Sequence, residues 1–139
     1  MQPELIVYTG GTFDLPHSGH VRLFARCAQL GRLVVSLNTD EFVESYKGKA
    51  PVMSFDERKE ILEAFRDVSA VIANSGGSDS REAIESVMPD YLAIGSDWAR
   101  RDYHRQMNFT QDWLDDRGIA LIYFPYTFGI STTRLRASL

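Results

Sequence analysis

The sequence contains only one cysteine, Cys27, in 139 residues. A lone cysteine cannot form an intrachain disulfide, which fits a reducing compartment, so we expect a cytoplasmic protein. No apolar run approaches the roughly 20 residues that cross a bilayer, and no signal-peptide pattern opens the chain, so we expect no membrane association. The net charge of −4 argues against non-specific binding to DNA or RNA. A small polyanionic ligand would therefore need a local cluster of Lys and Arg.

The sequence also lacks the residue patterns that three other kinds of chemistry require. A Gly-x-Gly-x-x-Gly pattern is absent after the first apolar run, which excludes a dinucleotide-dependent oxidoreductase. Zinc takes three or four ligands, and no third His or Cys stands in a suitable context near His17 and His20; His104 is isolated and is expected at the surface. Cys27 falls on the apolar face of a predicted helix, so it is expected to be a buried small hydrophobe rather than a nucleophile.

Short β-branched apolar runs alternate with helical periodicity along the whole chain. The predicted strands cover residues 5–8, 33–37, 68–73, 91–94 and 119–124. The predicted helices cover 21–30, 40–46, a segment capped by Ser54, a segment capped by Asp79 or Ser80, 108–117 and 131–137. This alternation predicts an α/β fold, with residues 1–139 forming a single Rossmann-like domain: a mostly parallel five-stranded sheet with helices on both faces. In such a sheet, ligands bind beyond the carboxyl ends of the strands.

Residues 10–20, Gly-Gly-Thr-Phe-Asp-Leu-Pro-His-Ser-Gly-His, connect the first predicted strand to the first predicted helix. The two leading glycines let the backbone pass close to a ligand. The helix start offers unpaired N–H groups and a partial positive charge, the arrangement that binds phosphate. His17 and His20 are three residues apart, so both imidazoles can face that anion, and Gly19 between them leaves room for a substrate. The pattern predicts a phosphate site at this turn.

The His17–His20 stretch, following Gly-Thr-Phe-Asp, resembles the HxGH signature of the nucleotidyltransferase superfamily, in its cytidylyltransferase-like branch. Residues 129–133, Gly-Ile-Ser-Thr-Thr, resemble the ISTT motif of that branch, most of all in the glycerol-3-phosphate cytidylyltransferases. The resemblance implies transfer of a nucleotidyl group from an NTP, with CTP favoured, to a small phosphorylated alcohol such as glycerol 3-phosphate, releasing pyrophosphate. It also implies Mg²⁺ carried with the NTP, and a homodimer.

The resemblance assigns roles residue by residue. It implies catalytic contacts from His17, His20, Lys49 and Arg58. It implies nucleotide contacts from Thr9, Gly10, Gly11, Thr12, Phe13, Gly19, Asp97, Trp98, Thr127, Ile130, Ser131, Thr132 and Thr133. It implies acceptor contacts from Arg58, Arg66 and Lys47, and no protein ligand to a metal.

Several of these residues also have a plainer interpretation. Lys47 and Lys49 could be solvated charges of an exposed loop, and Arg58 and Arg66 could form helix-surface ion pairs. Ser131 and its neighbours are ordinary residues for the start of a helix. Asp97 and Trp98 could be a loop aspartate with a half-buried aromatic. Residues Arg100, Arg101 and Arg105 could form a solvated face or a local positive field, and Asp14 is expected only to orient its own turn.

The chain departs from the glycerol-3-phosphate cytidylyltransferases at one place. Tyr126 and Phe128 stand where those enzymes carry an arginine and a glutamate. The change leaves the reaction class intact but leaves the base and the acceptor open. An ATP-dependent adenylyltransferase of the same fold therefore stays an alternative. A catalytically inactive nucleotide-binding module is another, which pyrophosphate release would distinguish.

Overall fold

A computed structural model describes residues 4–75, 80–96 and 103–125. The strands are β1 (Ile6–Gly11), β2 (Arg32–Asn38), β3 (Val68–Asn74), β4 (Tyr91–Gly95) and β5 (Ala120–Phe124). The helices are α1 (Ser18–Leu30), α2 (Asp40–Lys47), α3 (Phe55–Glu63), α4 (Arg81–Val87), α5 (Tyr103–Gln106) and α6 (Gln111–Asp116). The predicted terminal helix, 131–137, lies outside the described residues.

All five strands run parallel in the order β3-β2-β1-β4-β5, which confirms the predicted sheet. The order reverses between β1 and β4, so these two strands form the switch point at which ligands bind in open α/β sheets. β1 pairs with β2 over six residues but with β4 only at Val7 and Tyr8. The short pairing leaves the carboxyl ends of β1 and β4 free to diverge.

Apolar residues pack on both faces of the sheet, as predicted. One core contains Phe24 and Cys27 of α1 and Leu62 of α3. The other contains Ile84 of α4 and Leu114 of α6. Cys27 is completely buried, and burial raises the pKa of its thiol to about 12, which confirms the expectation of an inert core residue. Within the described part of the chain, no helix is long and apolar enough to span a bilayer.

Several element boundaries differ from the prediction, and two of the differences have a structural explanation. β1 continues through Gly10 and Gly11, which pair with Ser36 and Leu37 of β2, so the glycines end the strand instead of forming the turn. The helix predicted over 108–117 is shorter, α6 at Gln111–Asp116, and the polar stretch before it contains a further short helix, α5. Asn108 between them has a positive φ of 58°, a conformation that cannot continue a right-handed helix.

Gly31 closes α1 by allowing a close approach of two backbone segments. A Cβ at this position would lie 2.3 Å from the carbonyl oxygen of Leu5, well inside van der Waals contact. The same Leu5 carbonyl accepts the N–H of Arg32 at 2.8 Å, which fixes the start of β2 beside the start of β1. The predicted helix end at Gly31 is confirmed, with a steric cause.

Candidate active site

The turn between β1 and α1 has a strained backbone around a buried carboxylate. Phe13 and Leu15 have φ angles of 48° and 57°, in the left-handed region that side chains rarely occupy. Between them, the Asp14 carboxylate accepts the backbone N–H groups of Val52 at 2.7 Å and Met53 at 3.0 Å. Asp14 therefore joins the turn to the segment before α3, a longer-range role than the local one predicted for it.

His17 and His20 together cap the first turn of α1. The N–H of Gly19 donates to Nδ1 of His17 at 3.0 Å, and the N–H of His17 donates to Nδ1 of His20 at 3.1 Å. The two rings stack, with centroids 3.9 Å apart and an angle of 23° between their planes. The sequence predicted free N–H groups for phosphate at this helix start. The structure instead uses two backbone N–H groups to orient the imidazoles.

These hydrogen bonds determine the tautomer of both rings. Because each Nδ1 accepts a hydrogen bond, a neutral imidazole must carry its own proton on Nε2. Burial lowers the pKa of His17. Burial and, to a smaller extent, the neighbouring His17 lower the pKa of His20 from 6.5 to about 4. At neutral pH the site therefore presents two uncharged Nε2–H donors.

Phe13 supports this pair from below. Its buried ring meets the edge of His20 at a centroid distance of 5.2 Å and packs against Phe24 at 5.4 Å. A Cβ on Gly11 would approach the Phe13 ring to 3.0 Å, so the glycine makes room for that ring. The structure thus buries the Phe13 side chain against His20, and the nucleotide contact expected of Phe13 stays a prediction.

Arg58 is also beneath the site. Its side chain is 0% exposed, and Nη2 lies 2.6 Å from Oδ1 of Asp40. Nη1 donates to the carbonyl oxygens of Thr12 at 2.8 Å and Asn38 at 2.9 Å, and Nε donates to that of Met53 at 3.0 Å. The predicted contact with substrate phosphate is corrected, since the guanidinium binds the ends of β1 and β2 and the segment before α3.

Two further predicted contacts are corrected by position. Thr9 is fully buried, and its hydroxyl donates to the carbonyl oxygen of Ala93 at 2.8 Å, so it connects β1 to β4. Arg66 is exposed after the end of α3 and just before Val68, the first residue of β3. The amino end of β3 is at the opposite edge of the parallel sheet from His17, so Arg66 is not brought to the histidines within this chain.

The predicted phosphate-binding lysines lie next to the histidine turn. Lys47 ends α2 and Lys49 follows it; both are exposed. Gly48 between them has a φ of 78° and donates its N–H to the carbonyl oxygen of Glu44, which closes the helix. Three residues after Lys49, Val52 donates to Asp14. The lysine segment is therefore attached to the turn that carries the histidines.

A chain of polar side chains, which the sequence prediction missed, follows the ends of three strands. Asn74 ends β3 and donates Nδ2–H to Oδ1 of Asn38 at 3.3 Å. Asn38 ends β2 and donates Nδ2–H to Oγ1 of Thr12 at 3.1 Å. Thr12 Oγ1 lies 2.9 Å from the Tyr46 hydroxyl. The available signal was an Asn at the end of each of two apolar runs.

The remaining predicted contacts lie outside the described residues. They are Asp97, Trp98, Thr127, Ile130, Ser131, Thr132 and Thr133, together with Arg100, Arg101, Tyr126 and Phe128. Across residues 4–75, 80–96 and 103–125, no group of three or more His, Cys, Asp or Glu could hold a metal ion. His104 is half-buried, with Nε2 2.9 Å from Oε1 of Gln111.

Comparison with known proteins gives matches over most of the chain. The model of the cytidylyltransferase-like family matches residues 8–138. The glycerol-3-phosphate cytidylyltransferase of Bacillus subtilis is 37% identical over 131 residues, 94% of this chain and 93% of the relative. The FAD synthase of Thermococcus sibiricus is 38% identical over 95 residues, 68% of this chain and 64% of that enzyme.

A solved structure shares the fold. The lipopolysaccharide core biosynthesis protein from Thermoplasma volcanium superimposes with a TM-score of 0.71, covering 90% of this chain and 100% of that one at 24% identity. The likeness concerns the arrangement of the backbone. It agrees with the parallel sheet and the flanking helices described above.

Proposed function

The chain belongs to the cytidylyltransferase-like family and is a nucleotidyltransferase, and from this premise we propose that it transfers the cytidylyl group of CTP to glycerol 3-phosphate. The observation that carries the proposal is the pair of Nε2–H donors fixed side by side at the start of α1. The Bacillus subtilis relative, similar over almost the full length of both chains, supports CTP and glycerol phosphate as the substrates.

In the reaction, an oxygen of the acceptor phosphate attacks the α-phosphorus of CTP in line. The bond from the α-phosphorus to the bridging oxygen breaks, and pyrophosphate leaves with that bonding pair. No covalent enzyme intermediate forms, so no activated nucleophile is needed. Catalysis rests on positioning the two substrates and on offsetting the negative charge that develops on the phosphate oxygens.

His17 and His20 donate their Nε2–H groups to the α-phosphate and the bridging oxygen. The rings need no reorientation during the reaction, because backbone N–H groups already hold both Nδ1 atoms. Such preorganised donors stabilise a transition state more than mobile ones do. Asp14 and Arg58 act indirectly, by fixing the turn and the lysine segment that surround the phosphates.

The other contacts follow from the resemblance. Lys49 binds the β- and γ-phosphates together with Ser131, Thr132 and Thr133, which the sequence predicts at a helix start, and Lys47 binds the acceptor phosphate. The nucleoside contacts Asp97, Trp98, Thr127 and Ile130, and the backbone of Gly10, Gly11 and Gly19 approaches the nucleotide. Exposure of both lysines next to the histidine turn supports this arrangement.

Mg²⁺ enters as part of the CTP substrate. The carboxylates nearest the turn fit this role poorly as resident metal ligands, because Asp14 and Asp40 already accept hydrogen bonds with both oxygens. We further propose that residues 1–139 form one nucleotidyltransferase domain, that the protein is a homodimer, and that it is cytoplasmic, as its buried free cysteine suggests.

The test is pyrophosphate release from a panel of the four NTPs with glycerol 3-phosphate and with FMN. We expect turnover with CTP and glycerol 3-phosphate, and loss of it in a His17→Ala/His20→Ala variant that keeps the wild-type circular dichroism spectrum. Turnover only with ATP would overturn the choice of CTP. Binding of nucleotides with no release of pyrophosphate would overturn the enzymatic function.

The second candidate is adenylyl transfer from ATP. The observation that favours it is the similarity to an FAD synthase, together with Tyr126 and Phe128 in place of a charged pair. Two aromatic side chains offer stacking surface that any base can use. In the same panel, turnover with ATP and FMN that exceeds turnover with CTP and glycerol 3-phosphate would favour this candidate.

A further inference from the structure

The side chains of Thr9 and Thr12 divide the ligand-binding edge of the sheet into two regions. Thr9 is bonded to Ala93 on the β4 side, whereas Thr12 is bonded to Asn38 on the β2 side. The crevice between β1 and β4 is the switch point that takes the nucleotide. The polar chain of Thr12, Tyr46, Asn38 and Asn74, here called the polar wall, follows the other region, above β1, β2 and β3.

The polar wall contains one hydroxyl proton that the hydrogen bonds within the wall do not use. Thr12 Oγ1 already accepts a hydrogen bond from Asn38, and a second hydrogen bond joins Thr12 Oγ1 to the Tyr46 hydroxyl. The two hydroxyls carry two protons between them, so whichever group donates in their shared bond, the other keeps a proton that the bond does not use. Tyr46 is 47% exposed, so this end of the wall faces solvent.

The polar wall is uncharged, and its neighbours suit an anion and not a cation. Asp40 is bound to Arg58 and to the N–H of Phe55, and Asp14 is bound to the segment before α3. Both carboxylates are therefore already engaged by donors of the protein, and the Asp40 side chain is 36% exposed. An exposed positive charge lies close to the wall, since the Lys47 ammonium lies 5.8 Å from the centre of the Tyr46 ring.

We infer that the polar wall recognises the hydroxyl groups of the acceptor, which is a phosphorylated polyol, while Lys47 pairs with its phosphate. Thr12 and Tyr46 are then residues that determine acceptor specificity, whereas the sequence assigned Thr12 to the nucleotide. A site built to hydrogen-bond a substrate hydroxyl discriminates strongly against an analogue without it, because its polar groups would be left unpaired. The inference rests on the proposed function and adds which part of the acceptor the protein recognises, namely its hydroxyl groups.

The experiment compares three acceptors with CTP: glycerol 3-phosphate, n-propyl phosphate, which has the same chain length without hydroxyls, and ethanolamine phosphate, which carries an ammonium. We expect wild-type kcat/KM for glycerol 3-phosphate to exceed that for n-propyl phosphate by about 100-fold or more. Thr12→Val, which keeps the shape of the side chain, should lower this ratio about tenfold without changing the KM for CTP.

Tyr46→Phe should lower the same ratio by a smaller factor. Because Tyr46 is exposed, this substitution should not disturb folding. Ser45→Ala is the matched control on α2, because its hydroxyl donates to the Phe42 carbonyl outside the polar wall. It should leave the ratio unchanged. The ratio separates recognition of hydroxyls from a general loss of activity, which would affect both acceptors equally.

Each other outcome has a definite meaning. Wild-type turnover with a ratio near one, or an unchanged ratio in both variants, would overturn the inference and leave the proposed function standing. A preference for ethanolamine phosphate would overturn the inference and also glycerol 3-phosphate as the acceptor, but not the transfer of a cytidylyl group. A raised KM for CTP in Thr12→Val with an unchanged ratio would return Thr12 to the nucleotide side. No turnover with any acceptor would overturn the proposed function, and the inference with it.

Discussion

The imidazole of His17 stacks on that of His20 with 3.9 Å between ring centroids, and the backbone N–H of His17 donates to Nδ1 of its partner. The two residues therefore act as one unit, in which the position of each ring depends on the other. The unit uses backbone N–H groups at the helix start, which could have bound phosphate themselves, to orient two imidazole donors. Removing either ring should consequently lower the catalytic rate more than the stability of the fold.

Replacing His17 by alanine should reduce kcat by about 100-fold or more, because one preorganised donor is lost and the orientation of His20 is released. The fold should persist, since both rings lie at the rim of the site. Steady-state kinetics of pyrophosphate release would test this, with circular dichroism as the check on folding. A kcat close to that of the wild type would contradict the assignment.

Stability should fall as the solution is acidified below neutrality. The folded protein lowers the pKa of His20 to about 4, while the unfolded chain has the ordinary value of 6.5, so the unfolded state binds more protons between these values. The contribution of His20 to the free energy of unfolding is then constant above pH 6.5 and decreases as pH falls towards 4. Urea unfolding at pH 7.5, 6 and 5 measures the slope. In His20→Asn the slope between pH 6.5 and 5 should be smaller; an equal slope would rule out His20 as its source.

Arg58→Ala should destabilise the fold by about 3 kcal/mol, the lower end of the cost of removing one partner from a buried ion pair, because Arg58 is fully buried whereas Asp40 is 36% exposed. The variant leaves Asp40 and three backbone carbonyls without their donor. Arg66→Ala is the matched control, because that arginine is exposed, and it should change stability by no more than about 0.5 kcal/mol. Chemical denaturation compares the two. Equal small effects would mean that the Arg58 contacts contribute little.

Gly31→Ala should cost about 3 kcal/mol, the upper part of the range for overpacking, because its Cβ would meet a backbone oxygen that cannot turn aside. Gly118→Ala provides the comparison. A Cβ there meets open space, but the φ of 67° is left-handed, so the expected cost is about 1 kcal/mol. Thermal unfolding of both variants would check the order; the reverse order would contradict the steric explanation.

Lys49→Ala should raise the KM for CTP about tenfold with a smaller effect on the KM for the acceptor, if Lys49 binds the β- and γ-phosphates. Lys47→Ala should show the opposite pattern. The two substitutions remove the same group from exposed positions on either side of Gly48, so each controls for the other. Initial rates with one substrate varied at a time would measure both constants, and identical patterns would reject the division of roles.

The sequence predicted the sheet well because each strand is a run of apolar residues between helical patterns. It placed the end of β1 too early, since Gly10 and Gly11 suit a turn or a strand equally, and only pairing with Ser36 and Leu37 determines which. It placed the start of α6 too early, because the single positive φ of Asn108 leaves no periodic signal.

At the site, the histidines were predictable because their spacing alone places them on one helix turn. Arg58 was not, because three of its partners are backbone carbonyls from distant parts of the chain, and a carbonyl leaves no mark in the sequence. Asp14 was underestimated for the same reason: its partners, the N–H groups of Val52 and Met53, could belong to any residue.

Between β1 and β4 the sheet is joined by two residue pairs, against six between β1 and β2. The crevice that opens there separates a three-stranded part of the molecule from a two-stranded part. A nucleotide lying across the crevice would contact both parts and connect them where there are few backbone hydrogen bonds between β1 and β4. The bound substrate would thus stabilise the protein. Amide protons of β4 and β5 would exchange more slowly once the crevice is filled.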